Sequence, residues 1–206
     1  MPAADRALLT HLDELRACRR CPRMQGPVVV GQPVRSDLLL IGQAPGPREG
    51  QLGRPFAWTA GRQMFKWFSS IGLPEPAFRA RVYMAAVCRC FPGKRPSGGD
   101  REPAPDEISN CAPWLDHEIE LLAPRLVVPV GRLAIAEVLG PRPLTEAIGQ
   151  RLRAQRAGKS FDVIALPHPS GASTWYKREP GIRLLAQALD LLARHPTWRK
   201  LAAQAA

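Results

Sequence analysis

The sequence predicts an α/β protein, a three-layer αβα domain spanning residues 1–206 around a central, mostly parallel four-stranded sheet. Three observations carry this prediction. Four short apolar runs, residues 38–41, 82–88, 126–131 and 161–167, read as strands buried within a sheet. Between and around them, apolar residues recur at helical spacing. The strands also end in turns rich in glycine or proline, as in open parallel sheets that bind ligands beyond their carboxyl ends.

Each element has its own justification. Leu8, Leu9, Leu12 and Leu15 make residues 4–17 a packing helix that ends at a C-x-x-C pair, with His11 on its surface. Residues 28–31 read as a short edge strand. Leu38-Leu-Leu-Ile41 is the central strand, broken by Gly42-Gln-Ala-Pro-Gly46, a turn that brings backbone N–H groups close to a ligand. Residues 47–56 form a polar, ordered loop. A helix starting at Thr59 or Ala60 buries Met64, Phe65, Trp67 and Phe68. After the second strand, residues 91–105 hold four prolines and three glycines and form a long basic loop. Helices follow over residues 107–122, 132–139 and 181–194, and the Ala-rich tail after Lys200 reads as frayed.

Composition narrows the function classes. Hydrophobic residues make up 45% of the chain, which is globular and excludes wholesale disorder. No apolar run approaches membrane-spanning length, and the N-terminal residues lack the layout of a secretory signal, so a cytoplasmic protein is expected. The formal net charge of +11 fits a polyanionic partner. Arginine-rich codon usage would give the same number. Five cysteines in such a compartment point away from a disulfide framework. Cys18 and Cys21 are a C-x-x-C pair with further cysteines at 88, 90 and 111, enough for a four-thiolate site with one left over.

With the motifs laid out, the chain resembles the iron–sulfur members of the uracil-DNA glycosylase superfamily, families 4 and 5, from about Cys18 to the last helix. Gly42-Gln-Ala-Pro-Gly46 resembles the first motif, and Gly53-Arg-Pro-Phe56 with Ala60-Gly61 the base-stacking loop. Val82 to Cys90, then Asn110-Cys-Ala-Pro-Trp114, resembles the segments flanking the cluster, and His168-Pro-Ser170 the second motif, closer to family 5.

The resemblance implies a monomeric repair enzyme that acts on DNA bearing uracil or another deaminated base, without a membrane. It implies that Cys18, Cys21, Cys90 and Cys111 ligate a 4Fe–4S cluster, Cys₄ zinc being the competing ligand chemistry. His168 would donate to the departing base, helped by Gln43 and by backbone N–H groups of the 43–46 turn. Gly42, Ala44, Pro45, Gly46, Phe56, Ala86 and Ser170 would line the base site, with Phe56 stacking on the extruded base. Arg54, Lys94, Arg95, Ser173, Lys177 and Arg178 would face DNA, with Arg101 a further phosphate contact and Trp175 and Tyr176 a wedge or its support.

Two departures stand out. Gln43 replaces an acidic residue common in family 4, the position of a family-5 Asp is Thr59, and Ala44 has no polar atom, so no side chain of this turn is a general base. Glu49 is the one carboxylate in residues 42–61. Ala86 replaces an Asn that reads the uracil edge, which relaxes base selectivity. The rival expectation is therefore a weak or inactive relative that binds damaged or single-stranded DNA. A metal-stapled nucleotide- or RNA-binding module is a third.

Overall fold

The computed structural model of the chain describes residues 3–205. In chain order the elements are α1 (Ala3–Arg16), β1 (Leu38–Gly42), α2 (Glu49–Leu52), α3 (Thr59–Ser70), α4 (Glu75–Arg81), β2 (Tyr83–Ala86) and α5 (Pro105–Leu122). Then come β3 (Leu126–Pro129), α6 (Arg132–Leu139), α7 (Leu144–Ala147), β4 (Leu152–Arg156), β5 (Lys159–Val163), α8 (Gly181–Arg194) and α9 (Pro196–Ala203). The sheet order is β2-β1-β3-β5-β4, with every pairing parallel except β4–β5.

Alternation along the strands builds the three layers. Leu38 and Leu40 of β1, Met84 of β2, and Leu126 and Val128 of β3 face one apolar cluster, with α3, α4, α8 and α9. Leu39, Ile41, Tyr83, Ala85 and Val127 face the other, with α1, α5 and most of α6. A side-chain period of two turns a run with no polar face into a sheet covered on both sides. Because β2 and β3 flank β1 on opposite sides, β1 is where the strand order reverses, and the chain leaving it opens into the crevice used by ligands.

The sheet has five strands rather than four. The extra edge strand, β4, joins β5 through Ala157-Gly158, both with positive φ (48° and 68°), a two-residue hairpin whose twist matches its strands. Residues 28–31 are not a strand: Val29 donates to the Arg89 carbonyl, and Gly31 packs so closely that a Cβ there would stand 2.5 Å from the Met84 oxygen. Among the described residues the tail after Lys200 is not frayed but continues a helix to Ala203. Helix α9 buries Trp198, whose indole N–H donates to the Ile71 carbonyl at 3.0 Å, and Leu201.

His11 is not on the surface but 1% exposed, at the centre of a buried polar network between α1, α5 and β2. Its Nδ1 lies 3.0 Å from His117 and its Nε2 3.4 Å from Glu118. Glu118 takes both arms of the Arg89 guanidinium and the Tyr83 hydroxyl at 2.7 Å. Burial alone would raise the Glu118 carboxyl. Arg89 and the hydrogen bonds from His11 and Tyr83 outweigh it and hold the group at about 2. No described helix is long and apolar enough to cross a membrane.

Candidate active site

Four segments leaving the carboxyl edge of the sheet converge on one narrow pocket. It is lined by Gly42, Gln43, Ala44 and Pro45 after β1, by Glu49, Pro55 and Phe56 from the following loop, by Met84, Ala85 and Ala86 of β2, and by His168. The glycine-proline bend and the imidazole, distant in sequence, therefore meet over the same space. Of the expected base-site residues, Gly42, Ala44, Pro45, Phe56 and Ala86 line it, whereas Gly46 and Ser170 stand outside.

His168 follows a short stretch tied to β3 by the Val130–Leu166 bridge, and its ring packs on Gly131. A Cβ at Gly131, where φ is +90°, would lie 3.0 Å from the imidazole Cδ2. The Ser170 amide donates to His168 Nδ1 at 3.3 Å. An accepting Nδ1 places the proton of the neutral ring on Nε2, so the ring is a donor. Burial pushes its pKa below the ordinary range against the opposing charge of Asp100, which keeps it neutral near pH 7.

The turn holds fewer free donors than its length suggests. Pro45 has no N–H, and the Gly46 amide donates to Glu49 at 2.9 Å. The Gln43 and Ala44 amides remain. Glu49, buried and raised in pKa by that burial, accepts from Gly46 with one oxygen and from Ala57 with the other. It clamps the bend to the Phe56 loop and so acts as a brace.

Phe56 sits in the left-handed region at φ +52°, an uncommon state for a bulky residue that costs about 1–3 kcal/mol. Arg79 of α4 holds it there, donating to the Pro55 carbonyl at 3.0 Å and the Phe56 carbonyl at 2.9 Å. Gly61 permits the fold from the other side, since a Cβ there would stand 1.7 Å from the Phe56 oxygen. The ring rests on Gly42, whose absent Cβ would be 2.7 Å away. The pocket volume is about 20 Å³, room for water rather than a base. Ala86 offers only a methyl group, and its carbonyl already accepts from Arg89 Nε at 2.7 Å.

The cysteines form a second site. Cys18, Cys21, Cys90 and Cys111 line one cavity of about 490 Å³ with Leu15, Met24 and Arg89. A two-stranded contact, Gln25 with Phe91, brings the C-x-x-C segment beside Cys90. Cys88 does not line this cavity but lies against it, its buried thiol within hydrogen-bond reach of Cys111 and 3.6 Å from the Glu107 carbonyl. Among the described residues no three His, Cys, Asp or Glu side chains stand close enough to hold a single metal ion.

Of the expected DNA-facing residues, Arg54, Lys94, Arg95, Lys177 and Arg178 are exposed and Ser173 is half-buried. Arg101 is otherwise engaged, its guanidinium forked onto Glu107 at 2.7 and 2.8 Å. Trp175 and Tyr176 pack on the core as supports, Tyr176 edge-on to Trp67. Sequence reasoning missed Arg79 and Asp100. An i,i+4 pair with Glu75 was the only signal for Arg79, and it says nothing about the carbonyls the guanidinium reaches. Asp100, whose Oδ2 would lie 3.9 Å from a Cβ on Gly46, carried no signal within its loop.

Comparison with known proteins agrees with this geometry. Residues 28–193 match the family model of the uracil DNA glycosylase superfamily. A type-4 uracil-DNA glycosylase of Archaeoglobus fulgidus is 29% identical over 167 residues, covering 76% of this chain and 78% of the relative. One from Sulfurisphaera tokodaii is 31% identical, covering 78% and 73%. A type-5 uracil-DNA glycosylase of Pyrobaculum aerophilum is 27% identical, covering 77% and 80%. With the matched region spanning most of the chain and holding both halves of the pocket, the chain belongs to the uracil DNA glycosylase superfamily.

Proposed function

We propose that this protein hydrolyses the N-glycosidic bond of uracil, and of other deaminated bases, in DNA, leaving an abasic site for repair. The observation that carries this reading is the meeting of the neutral, Nε2-protonated His168 with the Gly42–Pro45 bend over one pocket.

The target nucleotide leaves the stack at a cost of a few kcal/mol, least at a mispair. Its base enters by displacing the Phe56 ring from Gly42 and stacks on that ring. The bond between C1′ and the base nitrogen then breaks, its electron pair passing to the base. His168 Nε2–H meets the growing negative charge, with the Gln43 and Ala44 amides adding to it. Preorganised donors of this kind are worth about 10²–10³ in rate each. Water adds to the cationic sugar carbon, and the proton it loses passes, through solvent, to the departed base anion, leaving neutral base and a hydroxylated sugar. The Gln43 side chain, half-buried at the pocket wall, orients this water without taking the proton. Leaving-group stabilisation therefore does most of the catalysis.

Selectivity is broad on this reading. With only a methyl group at Ala86, no polar side chain at that position pairs with the base edge. The pocket is built from one chain, so a monomer suffices.

The four cysteines fit a 4Fe–4S cluster: thiolates are its ligands, and their cavity is far larger than one ion requires. When bound, the cluster would supply a fixed cross-link between α1, the segment after β2, and α5. The chain's own residues carry out the hydrolysis.

The test is incubation with a uracil-containing oligonucleotide, followed by alkali. Strand scission is expected, with hypoxanthine and xanthine substrates also cut. Retained complex without scission would replace this reading with DNA binding alone.

A further inference from the structure

Two residues beyond Phe56 stands a large aromatic that the pocket does not use. Trp58, the residue that opens α3, leaves 41% of its surface exposed, although tryptophan is a residue that folding normally buries. Two arginines gather on it. The Arg48 guanidinium carbon lies 4.4 Å from the ring centroid and that of Arg62 lies 5.5 Å away, both within cation–π reach. Neither arginine has a carboxylate partner among the described ion pairs.

The platform is rigidly placed. Trp58 O accepts the Arg62 amide at 3.0 Å, and the neighbouring Ala57 amide is held by Glu49, which lines the pocket. Its position relative to the base site is thus set by the same brace that sets the bend. An exposed indole with two such guanidinium groups has the chemistry of a single-strand platform: a base takes the ring face that a guanidinium covers, and the released cation pairs with the phosphate beside it.

We propose that Trp58, with Arg48 and Arg62, binds an unpaired nucleotide next to the extruded one, so that this protein prefers single-stranded or locally opened DNA. The proposal rests on the glycosylase reading only in taking DNA as the partner. It is tested by binding alone, so failure of catalysis and failure of this site are separable.

The probe is a labelled single-stranded oligonucleotide carrying 2′-fluoro-deoxyuridine, whose glycosidic bond resists cleavage, read by fluorescence anisotropy. A fully paired duplex without uracil serves as comparison. Trp58→Ala is expected to weaken single-strand binding by about 5- to 150-fold, the range for one stacked base. Trp58→Phe, which keeps a stacking face, is expected to recover most of it. Arg48→Ala and Arg62→Ala should each flatten the salt dependence by about 0.7 in log–log slope per phosphate lost. Trp58→Ala binding within about twofold of wild type, or an equal loss on the paired duplex, would overturn the proposal.

Discussion

Ala86 gives the pocket a wall without a polar side chain, and Arg89 already donates one hydrogen bond to its carbonyl. Replacing Ala86 by Asn restores a side chain that donates and accepts. Buried groups of this kind discriminate strongly because the wrong ligand leaves them unpaired. Ala86→Asn is therefore expected to raise the preference for uracil over hypoxanthine by about tenfold or more, measured as the ratio of kcat/KM on matched oligonucleotides. An unchanged ratio would mean that the base edge does not face this wall. At the same scale, His168 and the 42–46 bend were legible because their residue types are scarce and chemically specific. Glu49 was legible only as a carboxylate. Its bracing role depends on two backbone amides that no sequence pattern announces.

At the scale of elements, α4 is the support that the sequence concealed. Its Arg79 holds the strained Phe56 backbone through two carbonyls, so Arg79→Ala should let the stacking ring wander. A fall in kcat/KM of about tenfold or more is expected, with a stability loss near 1–3 kcal/mol by urea unfolding. Full activity would show that Gly61 and Glu49 suffice to place the ring. The buried network of His11, Tyr83, Arg89 and Glu118 makes a second prediction. Glu118, at about 2 in the folded chain, lies below its ordinary value of about 4.3, so the unfolded state binds the proton first on acidification. Its contribution is present above that ordinary value and is lost as pH falls towards about 2. Glu118→Gln strands Arg89 and should cost about 3–5 kcal/mol near neutral pH. The difference from wild type should shrink in acid. A pH-independent difference would locate the stabilisation elsewhere. Strand β4 escaped the sequence reading for a physical reason. Leu152–Arg156 lacks β-branched residues, and its turn is Ala-Gly rather than the usual Asn-Gly, so both hairpin signals were faint. Helix α1 was legible in full, but periodicity could not reveal that His11 meets α5 across the interior.

Across the whole molecule, the pocket wall at Ala86 and the cysteine cavity share Arg89. It lines the cavity, pairs with Glu118 and caps Ala86 at the pocket wall. A bound cluster would therefore stiffen the wall of the base site without touching the reaction. Cys111→Ala is expected to abolish iron content and the brown absorbance and to lower thermal stability, with the remaining folded protein still able to cut uracil-containing DNA. Zinc in place of iron in the wild-type protein would contradict the cluster assignment. The α/β architecture was legible because four apolar runs and their turns leave few alternatives. Strand number and the seating of α9 were not, since edges and terminal helices draw their stability from contacts that a linear pattern does not record.

In the proposed reaction, His168 is the donor that meets negative charge on the departing base. The most direct measurement is the single-turnover rate of base release from a uracil-containing oligonucleotide by the wild-type protein and by His168→Ala. A drop of about 10²–10³-fold with DNA affinity retained is the predicted result. Equal rates for the two proteins would contradict it.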